Sequence, residues 1–194
     1  MQPNELHIIG YSRFQSPSTP SSQAQLNLNL EWTCETDSAR RRITNDALSC
    51  TTAAVASTSV RGVIISSPIQ TEDPAPWLSF PNLDIAGARG ACVFGLIAAL
   101  GAPDPAPDHD RHWRSPGSPD PAFPALRVVI LEDVDFSWKG QKEQAVDELL
   151  LNVLRERETN GAVMDELELR NCSSMDERLE EKLRALVMNL LIII

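Results

Sequence analysis

"FPALRVVILEDVDF", residues 123–136, opens the most regularly patterned part of this chain. Its apolar run "LRVVIL" (126–131) is short and rich in β-branched residues. Pro124 bounds it on one side and Glu132-Asp133 on the other. These are the marks of a buried strand. If the strand stands alone, the chain is an ordinary small α/β domain. If it recurs, the chain is a stack of repeats.

The pattern continues downstream. Residues 141–158 place Val146, Leu149, Leu150, Val153 and Leu154 at helical spacing, with Lys142, Glu143, Asp147 and Glu148 largely opposite. Gly161 is placed to stop that helix. "MDELELRN" (164–171) alternates Leu167 and Leu169 with Glu166, Glu168 and Arg170, which predicts a half-buried strand. Ser174-Met175-Asp176-Glu177 has the form of a capping box. It precedes Leu179, Leu183, Leu186, Val187 and Leu190, which fall on one helical stripe. Strand, helix, strand, helix predicts parallel strands.

The two strands align. Leu126-x-x-Val129-x-Leu131 matches Met164-x-x-Leu167-x-Leu169 at an offset of 38 residues, and both fit L-x-x-L-x-L. Cys172 follows Leu169 by three residues, where such a repeat takes Asn or Cys; the earlier copy has Val134 there. "FPNLDIAGA" (80–88) shares its opening with "FPALRVVIL" at an offset of 43, with Leu83, Ala86 and Ala88 inward. "VRGVII" (60–65) supplies Val60, Val63 and Ile65, and "LHIIGY" (6–11) a poorer match. Residues 91–100 are the expected helix after the 83–88 strand.

"FPALRVVILEDVDF", the acidic amphipathic helix and "LELRNC" together resemble the C-terminal leucine-rich-repeat region of fungal F-box/leucine-rich-repeat proteins. The resemblance spans about residues 60–188 and is strongest over 123–188. It implies a non-enzymatic protein-interaction module, the substrate-recognition part of an SCF-type ubiquitin ligase subunit. Residues 1–59 hold no L-P-x-E-like segment of the kind that opens an F-box.

The expected fold is therefore α/β: a short, irregular leucine-rich-repeat-like solenoid over residues 60–190, with parallel strands and helices. Residues 103–124 hold seven prolines and form a loop inserted between repeats. Residues 1–59 are expected to be largely disordered or irregular. Val129, Leu131, Leu167 and Leu169 point inward. Val128, Ile130 and Glu132 on one strand, and Glu166, Glu168 and Arg170 on the next, form the candidate partner face. The 38-residue register sets Glu132 beside Arg170, within reach of a salt bridge. Val128 and Ile130 are apolar where water is expected, so either a partner or the proline-rich loop covers them.

Other chemistry finds little support. "DHDRH" (108–112) offers His109, His112, Asp108 and Asp110, but on a loop with no third rigid donor. "GARGACVFG" (87–95) lacks the strong preceding strand of a phosphate cradle. Cys172 has no histidine near it in sequence, and a structural thiol is expected. No catalytic residue, cofactor or metal is assigned. Two alternatives stand beside the interaction module: a small α/β enzyme or metal-binding domain using the 103–124 loop, and a non-functional gene fragment.

A hydrophobic content of 42% excludes a wholly disordered chain. A net charge of −10 disfavours nucleic acid and anionic membranes as partners. A protein partner is expected. The C-terminal "ALVMNLLIII" is about half the length of the roughly 20 residues a span needs. No basic and apolar leader opens the chain, and four scattered cysteines suggest free thiols. An intracellular location, cytoplasmic or nuclear, follows as an expectation.

Overall fold

In the computed structural model, backbone is described for residues 4–13 and 23–32. Full description covers residues 46, 47, 50, 60–67, 72–80, 82–103, 122–140 and 143–194, except the side chain of Ser67. The "DHDRH" cluster and most of the 103–124 loop lie outside these residues.

Seven strands form one sheet in the order β2-β1-β3-β4-β5-β6-β7. They are β1 (Asn4–Arg13), β2 (Gln23–Trp32), β3 (Val60–Ser67), β4 (Ile85–Gly90), β5 (Val128–Glu132), β6 (Met164–Arg170) and β7 (Val187–Ile193). The first two pair antiparallel, and β1 pairs antiparallel with β3. From β3 to β7 every pairing is parallel. The intervening helices are α1 (Ala75–Leu78), α2 (Val93–Leu100), α3 (Val146–Thr159) and α4 (Glu177–Leu186).

The parallel strands lie side by side in chain order. A doubly wound sheet reverses direction at a switch point, which sends helices to both faces. Here each crossover steps to the next neighbour in the same direction. With the shared right hand of such crossovers, the helices fall on one face. Each helix packs on the next in chain order, as a single layer requires.

The register reproduces the sequence alignment. Val129 pairs with Leu167 and Leu131 with Leu169, the 38-residue offset. Ala86 pairs with Val129 and Ala88 with Leu131, the 43-residue offset. Val63 pairs with Ala86 and Ile65 with Ala88. All of these side chains are buried under the helices, and so are Val60, Leu83, Leu126 and Met164, which head each repeat.

The structure corrects several expectations. Val187 and Leu190 do not continue the stripe of α4. The chain turns extended at Val187 (φ −127°, ψ 152°) and becomes β7. Leu190 pairs with Leu167 and Ile192 with Leu169, so Val187-x-x-Leu190-x-Ile192 is another copy of the repeat. An i, i+3 apolar pair fits a helix and this motif equally well, so its spacing does not separate the two. Helix α3 begins at Val146 rather than 141. The cap of α4 is Asp176, whose carboxylate accepts from the Leu179 N–H at 2.7 Å. Ser174 instead takes a left-handed φ of 57° in the turn before it. Gly161, at φ +72°, does stop α3. Segments 4–13 and 23–32 are strands.

Candidate functional site

Among the described residues, one face of the parallel sheet is left without helices. The residues that alternate with the core line it in rows across the strands. The middle row runs Ile64, Gly87, Ile130, Glu168, Leu191. On one side of it lies the row Gly62, Ile85, Val128, Glu166, Asn189, and on the other Ser66, Arg89, Glu132, Arg170, Ile193. The register of β1 brings Tyr11, Ile9 and His7 to the same rows, opposite Gly62, Ile64 and Ser66.

A groove of about 880 Å³ follows this face over β3, β4 and β5. Its floor is Ile64, Ile85, Val128 and Ile130. Gly62 lines it and puts no side chain where the neighbouring strands carry Ile85 and Val128. Pro124, Ala125 and Gly161 to Val163, from the turns that enter β5 and β6, form one end. Around that end runs a ladder of alternating sign. Arg61 on β3, Asp84 just before β4, Arg127 just before β5 and Asp165 on β6 form it, with Arg61–Asp84 at 4.0 Å and Arg127–Asp165 at 3.9 Å. These pairs are exposed and add little stability. They give the rim no net charge.

Beyond Ile130 the face turns polar. Glu168 is only 9% exposed, and Arg170 donates to both its oxygens, at 2.8 and 2.9 Å. Asn189 donates to Glu166 at 3.2 Å. Arg89 bonds Asp133 at 2.6 Å and lies 3.9 Å from Glu132. Its bond to Asp133 raises the already high pKa of the guanidinium further.

All six residues of the expected partner face lie together on this open face. Glu132 and Arg170 are register partners on the same side of the sheet. The difference is in burial. Ile130 is 8% exposed, far less than an outward residue on a bare sheet. Its carbonyl and the side chain of Ile64 crowd the space above Gly87, so the middle row is closely packed. Pro124 and Ala125, the end of the proline-rich insertion, line the groove beside it. Sequence reasoning missed Ile64, Ile85, Gly87 and the charge ladder. The signal was present for three of them: Ile64, Ile85 and Gly87 are outward positions of the 60–65 and 83–88 segments.

At the far end of β6, the Cys172 thiol donates to the Leu131 carbonyl at 3.5 Å and the Arg170 carbonyl at 3.4 Å. It bridges the exits of β5 and β6. Burial pushes the thiol pKa up, which suppresses the thiolate. Among the described residues, no group of three His, Cys, Asp or Glu side chains is placed to hold a metal ion. None of the described helices is long and apolar enough to cross a membrane.

No protein-family model, curated protein or solved structure matches this chain.

Proposed function

We propose that this chain is a leucine-rich-repeat-like, non-enzymatic interaction module whose open sheet face binds a partner protein. The observation that carries this reading is the sheet itself. Parallel strands stacked in chain order, with related apolar spacing, leave one face free of helices among the described residues, and that face holds a groove with an apolar floor and a charged rim. Solenoids present extended surfaces of this kind to their partners.

Two further features support it. The steps from Val63 to Ala86 and from Leu167 to Leu190 are each 23 residues, within the roughly 20–29 usual for leucine-rich repeats. The longer steps carry the added chain, including the proline-rich insertion. Cys172 sits where such repeats take Asn or Cys, and it bonds strand-exit carbonyls from there. The resemblance to fungal F-box proteins extends the proposal to substrate recognition within an SCF-type ubiquitin ligase. The groove floor suits an apolar segment of the partner, with Glu166, Glu168 and Arg170 setting polar specificity beside it.

The test is a comparison of variants in quantitative affinity capture. Val128→Glu puts a charge on the groove floor; Glu156→Arg alters an exposed position on the helical side. Partners that bind the groove are lost with Val128→Glu and kept with Glu156→Arg, and a ligase adaptor subunit among them supports the extension. Identical partner sets for both variants would refute the proposal.

A further inference from the structure

The sheet edge farthest from the β1–β2 hairpin is β7. Its inner side pairs with β6, and among the described residues no strand takes its outer side. The Ile193 carbonyl accepts from the Asn171 N–H at 2.8 Å, so Ile193 directs its backbone polar groups toward β6. Backbone groups alternate sides along an extended strand. Met188, Leu190 and Ile192 therefore each direct an N–H and a C=O outward, where no backbone partner stands among the described residues.

Exposed edges are normally guarded by charges, proline or a bulge. β7 reads VMNLLII and has none of these residue types. Met188 is 76% exposed, Ile193 47% and Leu191 38%. It is a long, uncharged, apolar edge.

We infer that β7 pairs antiparallel with β7 of a second copy of this chain, about a two-fold axis at Leu190. The parity of the strand selects this register. Leu190 faces Leu190 of the second copy, and Met188 faces Ile192 of the second copy. In an antiparallel ladder such facing pairs exchange both N–H···O=C bonds. Every outward backbone group on β7 then has a partner. On the open face, Asn189 meets Leu191 of the second copy, and no charge meets a like charge anywhere along the seam. A closed two-fold contact of this kind is the commonest symmetry of soluble oligomers. The beside-lying α4 exposes both signs in Arg178, Glu181 and Lys182, so it raises no uniform barrier to approach. Long-range repulsion comes from the net charge of −10 on each copy, and salt screens it. The pairing therefore tightens as salt rises. It leaves the groove over β3 to β5 free and does not depend on what binds there.

Sedimentation equilibrium of the 194-residue chain tests this, at low and raised salt. The expected mass is twice 21.4 kDa, with tighter association at the higher salt. Met188→Lys places a charge on the seam, and Met188→Pro removes an outward N–H that β6 does not use. Both are expected to run at 21.4 kDa with an unchanged circular-dichroism spectrum. A monomeric wild-type chain throughout the micromolar range would overturn the inference, as would a dimer retained by Met188→Lys. Assemblies that keep growing with concentration would also overturn it, since they indicate β7 pairing with another edge, such as β2. If Met188→Pro misfolds, Met188→Lys still decides, because its side chain stands in solvent.

Discussion

Arg157 donates from Nη1 to the Ala122 carbonyl at 2.9 Å, so α3 holds the chain that enters β5. Nη2 donates to the neighbouring Phe123 carbonyl at 3.2 Å. The guanidinium is 2% exposed, and its Nε finds no partner among the described residues. Burial lowers its pKa, but a guanidinium keeps its charge at neutral pH. The clamp fixes the end of the proline-rich insertion, and Phe123 is held at a left-handed φ of 60°. Arg157→Ala leaves the buried Ala122 carbonyl without a donor, while the Phe123 carbonyl keeps the Leu126 N–H at 3.2 Å. The expected loss is about 1–3 kcal/mol in urea unfolding. Arg157→Lys, with one ammonium in place of a fork, is expected to lose less. A change within error for Arg157→Ala would show that the clamp does not hold the insertion.

Gly87 is expected to be intolerant of a side chain. A Cβ there would lie 2.9 Å from Ile64 Cγ1 and 3.3 Å from the Ile130 carbonyl. Ile64 is β-branched and yields little. Overpacking costs about 1–3 kcal/mol, offset by about 0.4–1 kcal/mol from a stiffer unfolded chain. Gly87→Ala should therefore lose about 1 kcal/mol. Combined with Ile64→Ala it should lose less than the sum of the two single changes, because the second removes the obstacle. Strict additivity in the unfolding cycle would contradict this packing.

Acid should act through Asp135. Hydrogen bonds from the Ser174 and Ser137 side chains and from the Ser137 N–H hold its carboxylate below its ordinary value of 3.8. A group whose pKa is depressed on folding adds stability above the unfolded pKa, and that stability fades as pH falls toward the folded value. The wild-type urea midpoint should thus fall more steeply below 3.8 than that of Asp135→Asn. Parallel profiles for the two proteins would rule out this linkage.

Alkylation should separate the cysteines. Burial raises the Cys172 pKa above its ordinary 9.0, and nearby Asp133 and Glu132 add to the effect. Cys50 is exposed, and Cys92 is buried. Under native conditions at mildly alkaline pH, iodoacetamide should modify Cys50 first, with Cys172 well behind. Peptide mapping by mass spectrometry reads the order, and unfolding in urea should bring the rates together. Early modification of Cys172 would mean that its thiol is not held against the strand exits.

The sequence made the middle of the sheet legible because its strands carry the same apolar spacing. Val129 and Leu167, or Ala86 and Val129, stand at offsets that the register reproduces. The face of each outward residue follows from alternation, which is why Val128, Ile130, Glu166 and Glu168 were correctly grouped. β7 was not legible. Val187 and Leu190 suit one more turn of α4 as well as they suit a strand, and neither glycine nor proline marks the change. The pairing of Leu190 with Leu167 decides it, and that pairing is not local. The strands 4–13 and 23–32 pair with each other, and 4–13 also pairs with β3; sequence period alone does not reveal such a pairing partner.

The sequence by itself thus determined which residues are core, which strands repeat, and that helices alternate with them, because these depend on local period and burial. The tertiary structure alone decided that the strands stack without reversal and that one face is left open. It also decided that Ile64 packs over Gly87 beside Ile130, and that β7 stands at the edge with backbone groups turned outward. Each of these depends on which strands become neighbours, and that is set by packing across the whole sheet.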